Sequence, residues 1–200
     1  MDEQRIRSPD YTSEDLDCRY CLSYKKEKGC TVPRCPWIRE RIRTGALTYR
    51  LALKMLFGAD SKCAKRLDLI AGGYTGSLFC DKFHMDRMAA HVHAFELVNR
   101  KDNPSLFAAL YLMTANKEIF FSTTACFNCT IIDFKKVDLR EVSAHNYTLI
   151  IAAKQIYLRK RLISEAEMAD EEIIDDLAFR LIANALLIRH YGEEAFFLQK

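Results

Sequence analysis

The chain has 200 residues, 50% of them hydrophobic, 28% charged and 11% aromatic, with a formal net charge of +3. That balance excludes disordered and fibrous classes and suits one domain, or one domain with a small appendage, able to bury a core. No apolar run reaches the ~18–20 residues of a membrane span, and the opening Met1-Asp2-Glu3-Gln4-Arg5 lacks the apolar stretch of a secretory signal, so a cytoplasmic protein with no membrane partner is expected.

Residues 1–17 are polar and read as an extended arm. Four of the eight cysteines follow within 18 residues: Cys18, Cys21, Cys30 and Cys35, spaced C-x2-C-x8-C-x4-C. Cytosolic thiols are ordinarily reduced, so such a cluster reads as a metal site before it reads as disulfides. Zn2+ favours four tetrahedral ligands, and thiolates satisfy its charge and softness at ~2.3 Å. A C-x2-C pair presents two sulfurs from one turn, and Gly29 and Pro36 put turn chemistry beside Cys30 and Cys35. Residues 18–36 have too little apolar content to fold unaided. Metal binding worth ~10–16 kcal/mol apparent would replace the missing core. The x4 spacing departs from a standard zinc ribbon, and an iron–sulfur cluster or simply buried or redox-active thiols are the competing readings. With four protein ligands the site is closed, so its expected role is structural.

Pro36 opens a short helix over 37–43 that ends near Gly45. Thr48 caps a helix over 49–57 closed by Gly58, and Asp60 or Ser61 starts another through Ile70, stopped by Gly72-Gly73. From Ser77 to about Asn99, Phe79, Phe83, Met85, Met88, Ala89, Val92, Phe95 and Leu97 recur at helical spacing and predict one long amphipathic helix. Asn103-Pro104 starts a helix over 105–115. Residues 119–134 admit either a short β element, from Ile119-Phe120-Phe121 and Thr130-Ile131-Ile132, or a helix with a following loop. Helical signals return over 146–161. They are strongest after Asp170, where Ile174, Leu177, Ala178, Leu181, Ile182, Ala185 and Leu186 share a face before Gly192. The expected architecture is mainly α: a cysteine-rich zinc-binding module over 1–45 and a multi-helix globular domain over 46–200 packed against it.

Charge is unevenly spread. Of the 30 basic and 27 acidic residues, 15 and 9 fall within residues 1–66. The excess lies between Arg19 and Arg43, where Arg19, Lys25, Lys26, Lys28, Arg34, Arg39, Arg41 and Arg43 meet only Glu27 and Glu40. Lys25, Lys26, Lys28, Arg34, Arg39, Arg41 and Arg43 are therefore candidates for contacting nucleic acid or an acidic partner. A solvated basic face is the plainer alternative, because no aromatic ladder accompanies them.

Weaker constellations remain. Cys126 and Cys129 form a second C-x2-C that Cys80 and His84 could complete as a metal site, although small buried thiols among Phe120, Phe121 and Phe127 explain them as well. His91 and His93 lie about 200° apart on a helix and cannot easily share an ion. The glycine-rich stretch 72–77 lacks the Lys of a phosphate-binding loop and reads as an inter-helix connection. Asp170, Glu171, Glu172, Asp175 and Asp176 suit a helix start. No hydrolase, zinc-protease or dinucleotide fingerprint occurs, so no enzyme is expected.

Two stretches carry a resemblance. Ser8-Pro9-Asp10-Tyr11 through Cys18-Arg19-Tyr20-Cys21-Leu22-Ser23-Tyr24 and on to Cys35-Pro36 resembles the N-terminal module of small proteins encoded on mobile elements and prophages of gut Firmicutes. Leu78-Phe79 with Phe83-His84 and Arg87, followed by residues 107–112, resembles a helical domain from the same elements. Small proteins of that setting include inhibitors of type II-A CRISPR systems, some of them metal-containing. The resemblance implies a zinc-containing anti-CRISPR protein that binds the effector nuclease and blocks target-DNA or guide loading, a step for which the effector's channel must stay accessible. It carries over no individual binding residue. The alternative expectation is a zinc-stabilised nucleic-acid-binding accessory or regulatory protein of a mobile element.

Overall fold

Asn103 and Pro104 set the centre of the molecule. The Asn103 side chain accepts the amide of Leu106 and Pro104 supplies a preformed first turn, opening a helix whose residues from Ser105 to Met113 are buried with the single exception of half-buried Phe107. A helix apolar on every side has to be surrounded, and this one is.

The computed structural model describes residues 11–25, 35–58, 60–97, 103–128, 131–140 and 142–200, and the backbone of 29–30. In chain order it holds a two-stranded antiparallel hairpin, β1 (Tyr24–Lys25) and β2 (Gly29–Cys30), then α1 (Ile38–Arg43), α2 (Tyr49–Phe57), α3 (Ala64–Gly72), α4 (Lys82–Ala94), α5 (Pro104–Met113), α6 (Lys117–Thr123), α7 (Ala144–Leu158), α8 (Glu165–Ala169) and α9 (Asp176–Tyr191). The fold is a mainly helical, multi-helix globular body. The central α5 packs on α7 and α9, α2 lies on α3 and α9, and a 3-10 segment over Gly192–Phe197 folds back onto α9, α5 and α1.

Local chemistry explains the boundaries. Thr48, Asp81, Asn103, Asn116, Ser143 and Asp175 each accept a backbone amide at a helix start, and Ser164 with Glu167 forms a reciprocal capping box on α8. Gly192, at φ 67, ends α9 where other residues would be strained. The far end of the chain is sewn to the front of α2: the Tyr49 amide donates to the Gln199 carbonyl, the Tyr74 hydroxyl donates to the Leu198 carbonyl, and the Tyr49 and Tyr74 rings stack at 3.8 Å.

Several expectations shift. α3 begins at Ala64 rather than Asp60 or Ser61, because the Ser61 hydroxyl is engaged by the Glu165 carboxylate and the Cys63 amide. The helix expected over 77–99 is only Lys82–Ala94. Leu78 is buried from the preceding loop, and Phe83 (71% exposed) and Met85 point to solvent while His84, Met88 and His91 face the core. Ile119-Phe120-Phe121 is helical, and among the described residues the β character of the region is reduced to one isolated bridge between Phe127 and Ile132. Ile42 and Leu47 belong to the main core and α1 packs on 192–197.

Candidate metal centre

The first two cysteines flank one hydrogen-bonded turn. The Asp17 carboxylate accepts the Arg19 amide at 2.8 Å and so opens a 3-10 turn over Cys18–Tyr20. The Cys21 amide then donates to the Cys18 carbonyl at 2.9 Å, and the Tyr24 amide to the Cys21 carbonyl at 3.0 Å. The eight-residue excursion is a hairpin: β1 and β2 pair in a register that sets Cys30 opposite Tyr24, and β1 also packs on the Cys18–Tyr20 turn. Cys30 is thereby returned to within three positions of Cys21. Cys35 stands at the root of α1, its carbonyl accepting the Ile38 amide at 3.2 Å, and the Trp37 ring beside it meets Tyr11 of the N-terminal arm edge-on at 5.7 Å.

The backbone thus gathers Cys18, Cys21 and Cys30 into one turn-and-hairpin unit, and Cys35 stands separately ahead of α1. Cys18 and Cys35 are half-buried, Cys21 is exposed, and the side chain of Cys30 lies outside the described residues. Among the described residues no three metal-ligating side chains converge on a point. The chemistry of the donor set, three cysteines on a turn and a hairpin and a fourth ahead of α1, is that of a tetrathiolate Zn2+ centre, which would hold the module in one shape.

The basic series is not one face. Lys25 and Arg43 are exposed, and Lys26, Lys28 and Arg34 lie outside the described residues. Arg39 is committed to Glu194 at 2.7 Å, which holds its guanidinium more firmly protonated. Arg41 is buried. The split follows from helical geometry: positions 39 and 43 are one turn apart, whereas 41 is about 200° from each and faces inward. Arg41 is corrected from a surface contact to a core-facing residue.

Among the described residues the alternative metal site does not assemble. His84 is fully buried, its Nδ1 accepting the Cys80 amide at 3.4 Å and its Nε2 donating to the Tyr111 carbonyl at 2.8 Å. Both ring nitrogens are occupied, and burial pushes its pKa down to about 4. Burial likewise pushes the Cys126 thiol up to about 11, and Cys129 lies outside the described residues. His91 is buried against Phe95, Phe120 and Phe127 while His93 is exposed, so the two face opposite ways. The 72–77 stretch is an inter-helix connection whose Tyr74 is a core residue.

Three apolar side chains of the module escaped sequence reasoning. Leu22 is fully exposed (102%), Tyr20 is 77% exposed and Trp37 stands half in solvent. Tyr20 and Leu22 lie where no helical or strand period exists to assign a buried face, Trp37 heads the short helix expected over 37–43, and only their size against so polar a segment signals them. Among the described residues no helix is long and apolar enough to cross a membrane. No family model, curated protein or solved structure matches the chain.

Proposed function

We propose that this protein acts by stoichiometric binding rather than by catalysis, presenting a Zn2+-held N-terminal module from a rigid helical body. The observation that carries this reading is the exposure of Tyr20 and Leu22 on the turn between the first two cysteines and the hairpin. They are the two most exposed large apolar side chains among the described residues and lie two positions apart, an arrangement suited to a protein partner. The partner is a type II-A CRISPR effector nuclease, as the resemblance of the module implies, and occupation of the effector would block target-DNA or guide loading.

The experiment is a cleavage assay with purified effector and zinc-loaded protein. Near-equimolar protein should suppress cleavage, and Leu22→Asp should relieve the suppression while leaving the helical signal unchanged. Uninhibited cleavage across several effector orthologues overturns the reading. A salt-sensitive shift of bare DNA by the protein alone would instead favour the nucleic-acid-binding accessory role. The pairing of Arg39 with Glu194 and the burial of Arg41 weigh against that role.

A further inference from the structure

Arg41 is 7% exposed, and its Nε, sealed from solvent, has no hydrogen-bond acceptor among the described residues. A buried guanidinium is retained only where a counter-charge meets it, since desolvation without compensation is heavily unfavourable. Its surroundings narrow what that charge is. Arg41 lines a cavity of about 550 Å3 between the cysteine module and helices α2 and α9, with Asp17, Cys18, Tyr24, Met55 and His190 on the same wall.

Two carboxylates reach this cavity, Glu14 and Asp17. Asp17 is already taken: its carboxylate binds the Arg19 guanidinium at 2.6 Å and the Arg19 amide at 2.8 Å, and these contacts, well ahead of the field of Arg41, hold its pKa down. Glu14 is exposed and makes no ion pair with Arg41 among the described residues. The other acidic groups on the wall are one thiol, that of Cys18, and the Tyr24 phenol. Cys18 lines it directly, and Tyr24, also on the wall, is the register partner of Cys30. Four thiolates around one Zn2+ carry a net charge of −2, half of which a single buried cation on the body side would offset.

We propose that Arg41 is the charge-compensating residue of the metal centre, a positioning residue that favours the tetrathiolate formed by Cys18, Cys21, Cys30 and Cys35 and couples the module to α1. This rests on the metal reading given above. It also explains why Arg41 departs from its exposed neighbours: Arg39 and Arg43 serve the surface, and Arg41 serves the thiolates.

The test uses the full chain and three variants, Arg41→Met, Arg41→Gln and Arg41→Lys, with Zn2+ affinity measured by competition against a chromophoric chelator and helicity by circular dichroism. Arg41→Met and Arg41→Gln should each lose roughly 10- to 100-fold in Zn2+ affinity at unchanged helicity, and Arg41→Lys should recover most of it. If Arg41→Met loses helicity, the Gln and Lys pair decides. Wild-type affinity in any folded, uncharged variant overturns the proposal while leaving the metal centre standing. A wild-type chain that takes no Zn2+ from the chelator overturns the metal reading itself. Unaltered Zn2+ affinity together with stabilisation of the wild type, but not of Arg41→Met, by inorganic phosphate would make the cavity an anion receptor and likewise overturn the proposal.

Discussion

Tyr49 and Asn184, 135 positions apart, are joined by a 2.7 Å hydrogen bond in which the tyrosine hydroxyl donates to the amide oxygen, with both side chains sealed from water. Asn184 in turn donates to the Leu78 carbonyl at 3.0 Å and to the Tyr111 hydroxyl at 3.3 Å, and Tyr111 donates to that same carbonyl. Four segments of chain therefore share one satisfied polar knot inside an apolar core. Asn184→Leu strips the Tyr49 hydroxyl of its acceptor, and about 1–3 kcal/mol of stability should go with it. Chemical unfolding followed by helical circular dichroism reads the loss, and an unshifted midpoint would show that the knot contributes nothing net.

Acid should loosen the body before it reaches the carboxylates. The folded-state pKa of His84 is lowered by burial from 6.5 to about 4, so the unfolded chain binds the proton first. Its contribution is complete above pH 6.5 and is lost as the pH falls from there to about 4, at about 1.4 kcal/mol per pH unit and on the order of 3 kcal/mol in all. Burial shifts His91 and His190 in the same direction. Unfolding free energies at pH 7, 6 and 5 should decline for the wild type and decline less steeply for His84→Gln, even though that variant starts lower.

Arg66 ties α3 to the other end of the chain. Its buried guanidinium donates to the Met168 carbonyl at 2.9 Å and to the Asp176 carboxylate at 2.8 Å, and it lies 4.3 Å from the centre of the Phe179 ring. Arg66→Met should cost about 2–3 kcal/mol because it orphans a buried carbonyl and removes the stacking contact. Asp176→Asn should cost less than about 1 kcal/mol, since that carboxylate stands 60% exposed and solvent screens it. Equal losses in the two variants would contradict this ranking in a thermal melt.

On the proposed metal centre, replacing Cys18 or Cys21 by Ser should release Zn2+ and leave the helical body folded, because the core cluster from Ile42 onward includes no described residue of the module. Metal content by elemental analysis and helical signal by circular dichroism separate the two effects. Metal content unchanged in both variants would dismiss the tetrathiolate.

What could be read in advance follows the caps. Thr48 with Gly58, Asn103 with Pro104 and the stop at Gly192 are punctuation with a local cause, and the helices begin or end there as expected. α4 was legible only in part. Counting large apolar residues favoured Phe83 and Met85, whereas the buried line is His84, Met88 and His91, with Asp81 as its cap. The sequence pattern ranks phenylalanine above histidine, but a neutral histidine whose ring nitrogens are both bonded is as much a core residue. At the cysteines, the C-x2-C spacing announced the turn, whereas the hairpin that pairs Tyr24 with Cys30 was not read from the sequence. The burial of Arg41 was not read from charge counting, although the alternation of arginines at 39, 41 and 43 on a helix already required one of them to face away from the others.

The bond from the Tyr49 amide to the Gln199 carbonyl has a cost in time as well as a benefit in space. A polypeptide leaving the ribosome from its front end completes α2 long before residues 198 and 199 emerge, so Tyr49 and Tyr74 wait without the backbone partners that later secure them. During that interval the nascent chain carries uncovered apolar surface, the condition in which chaperones are recruited and aggregation begins. Slow or stalled synthesis of the last helix should therefore harm yield more than any comparable pause upstream.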